Sequence, residues 1–221
     1  MDWYPLLNSI RIAAISSVVV FFTGIFAAYY AARLPRVLKG FIDVFLTLPL
    51  VLPPTVCGYL LLMLFGVRRP LGLFFIRFGI QFVMTWYGGI LAASLVAFPL
   101  MYRTARGAFE SFNKTLAYSA QTLGLGNAYI FWRIRMPACR QGILAGLVLA
   151  FARALGEYGA TSMLIGYIPG RTATISTTVY QLWRTNNNES AFKWVMINTV
   201  ISAVVLLAVN MLERREKTAA K

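Results

Sequence analysis

Residues 12–32, IAAISSVVVFFTGIFAAYYAA, contain no charged side chain and lie between Arg11 and Arg33. A helix of this length rises roughly 30 Å, which is the thickness of the hydrocarbon core of a bilayer. Charged side chains are costly inside that core, so an uncharged run of this length is typical of a transmembrane helix. The stretch therefore predicts a membrane span over about residues 10–33.

Four further apolar runs predict spans over about residues 41–66, 82–103, 138–168 and 193–212. The chain of 221 residues is 59% hydrophobic and 13% charged, whereas soluble domains average about 45–50% apolar and about 25% charged residues. A soluble globule of this size has too little interior to hide so much apolar surface. The sequence therefore predicts an all-α, polytopic integral membrane protein with about five transmembrane helices in a single domain, residues 1–221.

The distribution of basic residues predicts the orientation of these spans. Thirteen Lys and Arg residues fall in three segments: the loop after the first span, the predicted cytoplasmic coupling region of about residues 104–137 together with the flanking Arg103 and Arg140, and the C-terminal tail. Seven fall in the segments on the opposite side. Cytoplasmic loops carry such an excess, so we expect an external N-terminus, a cytoplasmic C-terminus and an external loop over about residues 169–192. The formal net charge is +14. We interpret this excess as the basic residues of cytoplasmic loops, so no nucleic-acid partner is expected.

The second predicted span contains the sequence LPLVLPP, with prolines at positions 49, 53 and 54. Proline removes a helical hydrogen bond, and membrane helices tolerate it where neighbouring groups satisfy the freed carbonyl. A kink or a break is therefore predicted here. Pro53 and Pro54 form either a simple kink or a flexible joint in a helix that lines a transport path.

Two opposite charges lie deep in the fourth predicted span. Arg153 and Glu157 are four residues apart, a spacing that places them on one helix face. They form either a structural pair that holds the bundle together or a pair that borders the translocation path and moves with a gate. The small residue Gly159 nearby permits close packing of backbones. Pro53, Pro54, Arg153, Glu157 and Gly159 are thus the candidate path or gate residues.

Residues 112–137, FNKTLAYSAQTLGLGNAYIFWRIRMP, are too polar to span a membrane. Leu116, Ala120 and Leu123 repeat at helical spacing and predict a short amphipathic helix over residues 113–123. Gly124 can end that helix in the left-handed conformation, and Pro137 stands where the next helix would begin. The helix either lies on the membrane surface or docks into a soluble partner, since its small residues favour close approach.

The same segment resembles the "EAA" loop of ABC importer permeases. The matching residues read Ala117-Tyr118-Ser119-Ala120, then Thr122-Leu123-Gly124, then Ile134-Arg135-Met136-Pro137. The chain departs from the family pattern at Ala117, where a glutamate is usual, and at Ser119, where an alanine is usual. Residues 46–62 and 151–182 are similar to the corresponding segments of molybdate permeases, so the resemblance extends over nearly the whole chain.

The resemblance implies the type I ABC importer permease fold and ATP-driven uptake of molybdate across the bacterial cytoplasmic (inner) membrane. It also implies a homodimer of this chain, two copies of a cytoplasmic ABC ATPase subunit, and a periplasmic or extracellular molybdate-binding protein, all working at a lipid membrane. The ATPase would bind ATP and Mg²⁺, since the chain has no G-x-x-x-x-G-K-[ST] motif of its own. The implied ATPase-coupling residues are Ala117, Ser119, Ala120, Thr122, Leu123, Gly124 and Pro137.

Three alternative functions differ from this interpretation. Tungstate or sulfate would be the cargo of a permease of the same class. An ATP-independent secondary transporter would more often show internal repeats and several intramembrane carboxylates, and Glu157 is the one deep candidate. A membrane enzyme is disfavoured because the sequence has no histidine and no recognisable catalytic constellation.

Overall fold

The computed structural model describes residues 2–219, with side chains through residue 207. These residues form helices joined by turns and short connections, with no β-strand among them. The helices are α1 (Tyr4–Ala31), α2 (Arg36–Val51), α3 (Pro54–Phe65), α4 (Pro70–Arg77), α5 (Trp86–Glu110), α6 (Lys114–Thr122), α7 (Asn127–Ile130), a π-helical turn (Phe131–Arg135), α8 (Met136–Ala138), α9 (Arg140–Leu155), α10 (Gly159–Ile165), α11 (Ile175–Arg184) and α12 (Asn188–Ala219).

Three of these helices are individually long and apolar enough to cross a membrane. They are α1, α5 and the part of α12 up to Leu207, with mean hydropathies of 2.1, 1.2 and 1.7. Helix α1 begins six residues before the predicted span because Pro5 occupies its first turn, where the missing N–H has no intrahelical partner to lose. Helix α5 continues past the predicted end at 103 to Glu110.

Two bent helix pairs bring the number of candidate spans to five. Helices α2 and α3 meet at 110° across Leu52 and Pro53, so the prolines produce a sharp break rather than a gentle kink. The segment Asn127–Ala138 meets α9 at 72°. The predicted all-α, polytopic architecture is therefore confirmed, but each of these two spans is built from two pieces.

Helices α1, α5 and α9 form the centre of the bundle and approach each other through small residues. A Cβ atom built on Gly24 of α1 would lie 2.7 Å from Met101 Cγ of α5. A Cβ on Gly146 of α9 would lie 3.0 Å from the Sδ atom of the same methionine. Small residues let helices pack closely in a lipid environment, where burial of apolar surface between helices supplies little driving force.

The predicted span 138–168 is not one continuous helix. Helix α9 ends at Leu155, and α10 begins only at Gly159. Gly156 and Gly159 flank the interruption, and the Glu157 carboxylate satisfies one of the backbone N–H groups freed there. Side-chain capping of this kind is not visible in the periodicity of an apolar run, which continues through the break.

The predicted loop over residues 169–192 contains α11 and the start of α12. Thr174 caps α11, and its side chain and that of Thr177 bond each other's backbone N–H groups as a capping box. Asn8 and Ser9 of α1 hold the entry to α11: the Asn8 amide donates to the Ala173 carbonyl at 3.0 Å, and the Ile175 N–H donates to Ser9 Oγ at 2.9 Å. The polarity of this segment therefore reflects buried hydrogen bonds as well as solvent exposure.

Candidate coupling helix and gate

Helix α6 is closed at both ends by local hydrogen bonds. The Thr115 N–H donates to the Asn113 side chain at 3.0 Å, which caps the N-terminus. At the C-terminus the Gly124 N–H donates to the Gln121 carbonyl and the Leu125 N–H donates to the Ala120 carbonyl, which is the Schellman arrangement. Gly124 has φ +77°, a conformation that glycine adopts without strain. The helix is thus a defined nine-residue rod.

The predicted coupling residues divide between two faces of α6. Ala117 and Ala120 are buried against this chain, with 6% and 4% of their surface exposed. Ser119, Thr122 and the terminal residues Leu123 and Gly124 face outward, and Pro137 lies beyond the π-helical turn in α8, also exposed.

The apolar spacing that predicted α6 does not describe its buried side. Ala120 is buried, but Leu116 and Leu123 are 51% and 79% exposed, as is Tyr118 at 61%. The helix therefore turns small residues inward, where α7 and the π-helical turn approach it closely, and large apolar residues outward. An exposed apolar surface of this kind is typical of an interaction site.

An aromatic and cationic cluster stands behind α6, and the sequence analysis missed it. The Arg135 guanidinium lies 5.1 Å from the centre of the Phe112 ring and 5.3 Å from that of Tyr29. The Phe131 ring packs edge-on against Tyr29 at 4.6 Å. Tyr29 belongs to α1, so this cluster ties the segment behind α6 to the bundle. The residues are close only because the chain folds back on α1, which no local sequence pattern reveals.

The structure brings together four of the five predicted gate residues around two helix breaks, one between α2 and α3 and the other between α9 and α10. A Cβ atom on Gly159 would lie 2.8 Å from Pro54 Cβ and 3.0 Å from the Thr55 nitrogen. The start of α10 therefore packs directly on the start of α3. Pro53 ends the preceding break as the exposed residue before α3 and does not join this contact.

Arg153 and Glu157 form an ion pair, although they do not share a helix as predicted. Arg153 lies in the last turn of α9, whereas Glu157 lies in the break after it. Their Nη1 and Oε2 atoms are 2.7 Å apart, with 28% of the arginine and 1% of the glutamate side chain exposed. Glu157 Oε1 accepts the Ala160 N–H at 2.7 Å. The pair therefore links the end of α9 to the beginning of α10.

A second ionic cluster joins α2 to α5 and was not predicted. Asp43 of α2 accepts hydrogen bonds from Arg106 and from the buried Tyr102 hydroxyl, both on α5. Lys39 pairs with Glu110 one turn further along. A lone aspartate near the start of an apolar run was a signal that the sequence offered for this cluster.

Solved structures similar to this chain include the membrane parts of ABC importers. A bacterial ABC transporter involved in the import of the acidic polysaccharide alginate superposes with a TM-score of 0.77 and 19% sequence identity, over 96% of this chain and 78% of that chain. At this identity the likeness establishes the fold alone. The bundle with its broken spans and exposed α6 therefore has the polytopic, all-α fold of ABC importer permeases.

Sequence comparison gives the family directly. The chain belongs to the family described as binding-protein-dependent transport system inner membrane component, whose model matches residues 21–218. It is 39% identical over 210 residues to the molybdenum transport system permease protein ModB of Escherichia coli, covering 95% of this chain and 92% of that protein. ModB of Haemophilus influenzae is 38% identical over 193 residues, covering 86% and 84% of the two chains.

Proposed function

We propose that this chain is the membrane-spanning permease subunit of an ATP-driven importer that moves molybdate across the cytoplasmic membrane. The observation that carries the proposal is the similarity of almost the entire chain to permeases named for molybdenum transport. The fold agrees, because the structural relatives are permeases of ABC importers. The assignment of molybdate as the cargo rests on the similarity to these relatives. The proposal that the chain is coupled to an ATPase rests on the exposed surface of α6.

The coupling proposal assigns α6 to a groove on a cytoplasmic ATPase subunit. Its outward face carries the small hydroxyl residues Ser119 and Thr122 between the exposed side chains of Leu116, Tyr118 and Leu123. Small polar residues allow close approach, and the exposed apolar groups gain by burial in a protein groove. ATP and Mg²⁺ would be bound by that ATPase. This chain would therefore provide the docking helix and would contribute no chemical group to ATP hydrolysis.

A displacement of α6 would reach the gate through rigid contacts. Helix α6 packs on α7 and the π-helical turn, which lead into α9 through the 72° bend. The end of α9 is tied by Arg153 and Glu157 to α10, which packs on α3 at Gly159 and Pro54. We propose that this series of contacts lets ATP binding switch the path between two states, as a partner's ligand can bias a two-state element.

The complete importer in this proposal contains two copies of the chain, two ATPase subunits and a periplasmic or extracellular molybdate-binding protein. The binding protein would select the anion, and the dimer of this chain would supply a gated path with weak affinity, because a pore must release what enters it. The cytoplasmic side would hold α6 and the C-terminus, and the external side the N-terminus and α11.

Reconstitution tests the proposal. The chain, co-expressed with its ATPase, is placed in liposomes that contain ATP, and uptake of labelled molybdate is measured with the loaded binding protein outside. We expect uptake that requires ATP and the binding protein and that persists in excess sulfate. Abolition of uptake by sulfate would assign a different oxyanion. Uptake driven by an ion gradient without ATP, or failure of any ATPase to co-purify, would support a secondary transporter.

A further inference from the structure

A polar cleft of ≈ 350 Å³ lies between α10 and α11, beside the break in the fourth span. Its floor and walls include hydroxyl, amide and guanidinium groups. The polar lining residues are Tyr158, Ser162, Tyr167, Thr177, Tyr180, Gln181 and Arg184. Neither aspartate nor glutamate contributes to the lining, so the charge that the cleft presents is positive.

Two donors in the cleft are not used by the fold. Among residues 2–207, the side chains of Gln181 and Arg184 have no hydrogen-bond or ion-pair partner. The Arg184 guanidinium lies 5.9 Å from the centre of the Tyr180 ring, and that ring lies 5.3 Å from the ring of Tyr158. The aromatic faces favour the cation in this position without neutralising it.

The cleft adjoins the candidate gate but differs from it in net charge. Tyr158 is the residue before α10 and follows Glu157 directly. At the gate, Glu157 cancels the charge of Arg153 at 2.7 Å. In the cleft, Arg184 keeps its charge, and its planar guanidinium can donate two parallel hydrogen bonds to an oxyanion.

We propose that this cleft is a transit site for a tetrahedral oxyanion, with Arg184 as the cation and Gln181 as an additional donor. The inference rests on the proposed function and names the point in this chain where the anion pauses before the gate opens. The site is open to one side and offers one cation, so its affinity should be low, as a conducting path requires.

The main alternative role for Arg184 is to bind an acidic patch of the binding protein. The following assay distinguishes this docking role from the transit site. Arg184→Gln, Arg184→Lys and Gln181→Leu are compared with Arg171→Gln in the reconstituted importer. Arg171 is a matched control: it is exposed, it precedes α11, and it lies outside the cleft. Molybdate uptake and the stimulation of ATP hydrolysis by loaded binding protein are measured on the same liposomes.

We expect Arg184→Gln to lower uptake about fivefold or more, since a charge-assisted contact is lost. Arg184→Lys should retain part of the uptake, Gln181→Leu should lower it less, and Arg171→Gln should leave it unchanged. Stimulation of hydrolysis should stay within about twofold of the unsubstituted protein in every variant, because docking is not altered. Low molybdate uptake with normal stimulation of ATP hydrolysis in Arg184→Gln would show that this substitution impairs transport without impairing docking.

Two results would overturn the inference while leaving the proposed function intact. One is normal uptake by Arg184→Gln and Gln181→Leu. The other is a parallel loss of uptake and of stimulated hydrolysis in Arg184→Gln, which would assign Arg184 to binding-protein docking. Absence of molybdate uptake by the unsubstituted protein, with ATPase and binding protein present, would instead overturn the proposed function and the transit site with it.

Discussion

Glu157 has two roles that depend on its position in a helix break. One oxygen accepts the Ala160 N–H and the other faces the Arg153 guanidinium. Breaking a buried charge pair from one side is costly because the remaining charge loses its partner. The pair therefore positions α9 and α10 relative to each other, beside the cleft.

Gly124 is constrained by its backbone rather than by its surroundings. A Cβ atom at this position would meet no heavy atom within 4 Å, yet φ is +77°. Any residue with a Cβ atom costs about 1–2 kcal/mol in the left-handed conformation, and asparagine adopts that conformation more readily than most residues. Gly126, two residues on, offers the same open space with an ordinary φ of −69°.

We therefore predict that Gly124→Ala lowers ATP-driven uptake severalfold, that Gly124→Asn retains most of it, and that Gly126→Ala leaves it unchanged. The cap of α6 loosens in the first case, so the handle transmits less of the ATPase motion. Uptake in proteoliposomes, normalised to the amount of assembled complex, measures the effect. Equal uptake by the two alanine variants would show that the left-handed cap is not needed for coupling.

At the scale of helices, the sequence predicts which segments are helical better than it predicts where each helix bends. The uncharged run of α1 and the proline break between α2 and α3 were visible because length and proline chemistry act locally. The break after Leu155 was not, since it depends on a carboxylate binding a backbone N–H three residues away. The start of α11 likewise depends on Asn8 and Ser9, more than 160 residues distant in sequence.

The candidate site shows the same division. The extent of α6 followed from the spacing of its apolar residues, and its end at Gly124 followed from a capping rule; both need only neighbouring residues. The inward face of α6 did not, because Ala117 and Ala120 are buried by contact with a later part of the chain. Close packing selects small residues there, so the larger apolar residues that dominate a sequence pattern point outward.

The ionic cluster between α2 and α5 gives a prediction at this scale. Asp43→Asn and Arg106→Gln should each destabilise the protein by about 1–3 kcal/mol, because their side chains are only 24% and 19% exposed, between the limits for surface and buried pairs. The double variant should lose less than the sum of the two losses. Apparent melting temperatures in detergent measure these effects.

Glu189→Gln is the control for this comparison of the two single variants with the double variant. Its partner Lys193 lies at 2.6 Å, but the glutamate side chain is 83% exposed, so no measurable change in melting temperature is expected. Additive losses in Asp43→Asn and Arg106→Gln would show that the two residues act independently and that α2 is held to α5 by other contacts.

At the scale of the whole molecule, α1 separates the candidate coupling helix from the α11 region. Near its N-terminus, the Tyr4 hydroxyl donates to the Arg171 carbonyl at 2.5 Å, and Trp3 packs edge-on against Trp194. Near its C-terminus, Tyr29 contacts Phe131 behind α6. A helix of 28 residues is about 42 Å long, so these two regions lie at opposite ends of a membrane-spanning element.

This separation allows the proposed orientation to be tested with two single cysteines. One is Asn187→Cys, at an exposed position just before α12 and near α11. The other is Gly126→Cys, at an exposed position just before α7 and near α6. The native Cys57 and Cys139 are 1% and 4% exposed and give little background. Because basic residues favour the cytoplasmic side, a membrane-impermeant maleimide should label Asn187→Cys in intact cells and Gly126→Cys only after lysis. Labelling of Gly126→Cys in intact cells would place α6 outside, where no cytoplasmic ATPase can reach it, and labelling of both would contradict the span count between them.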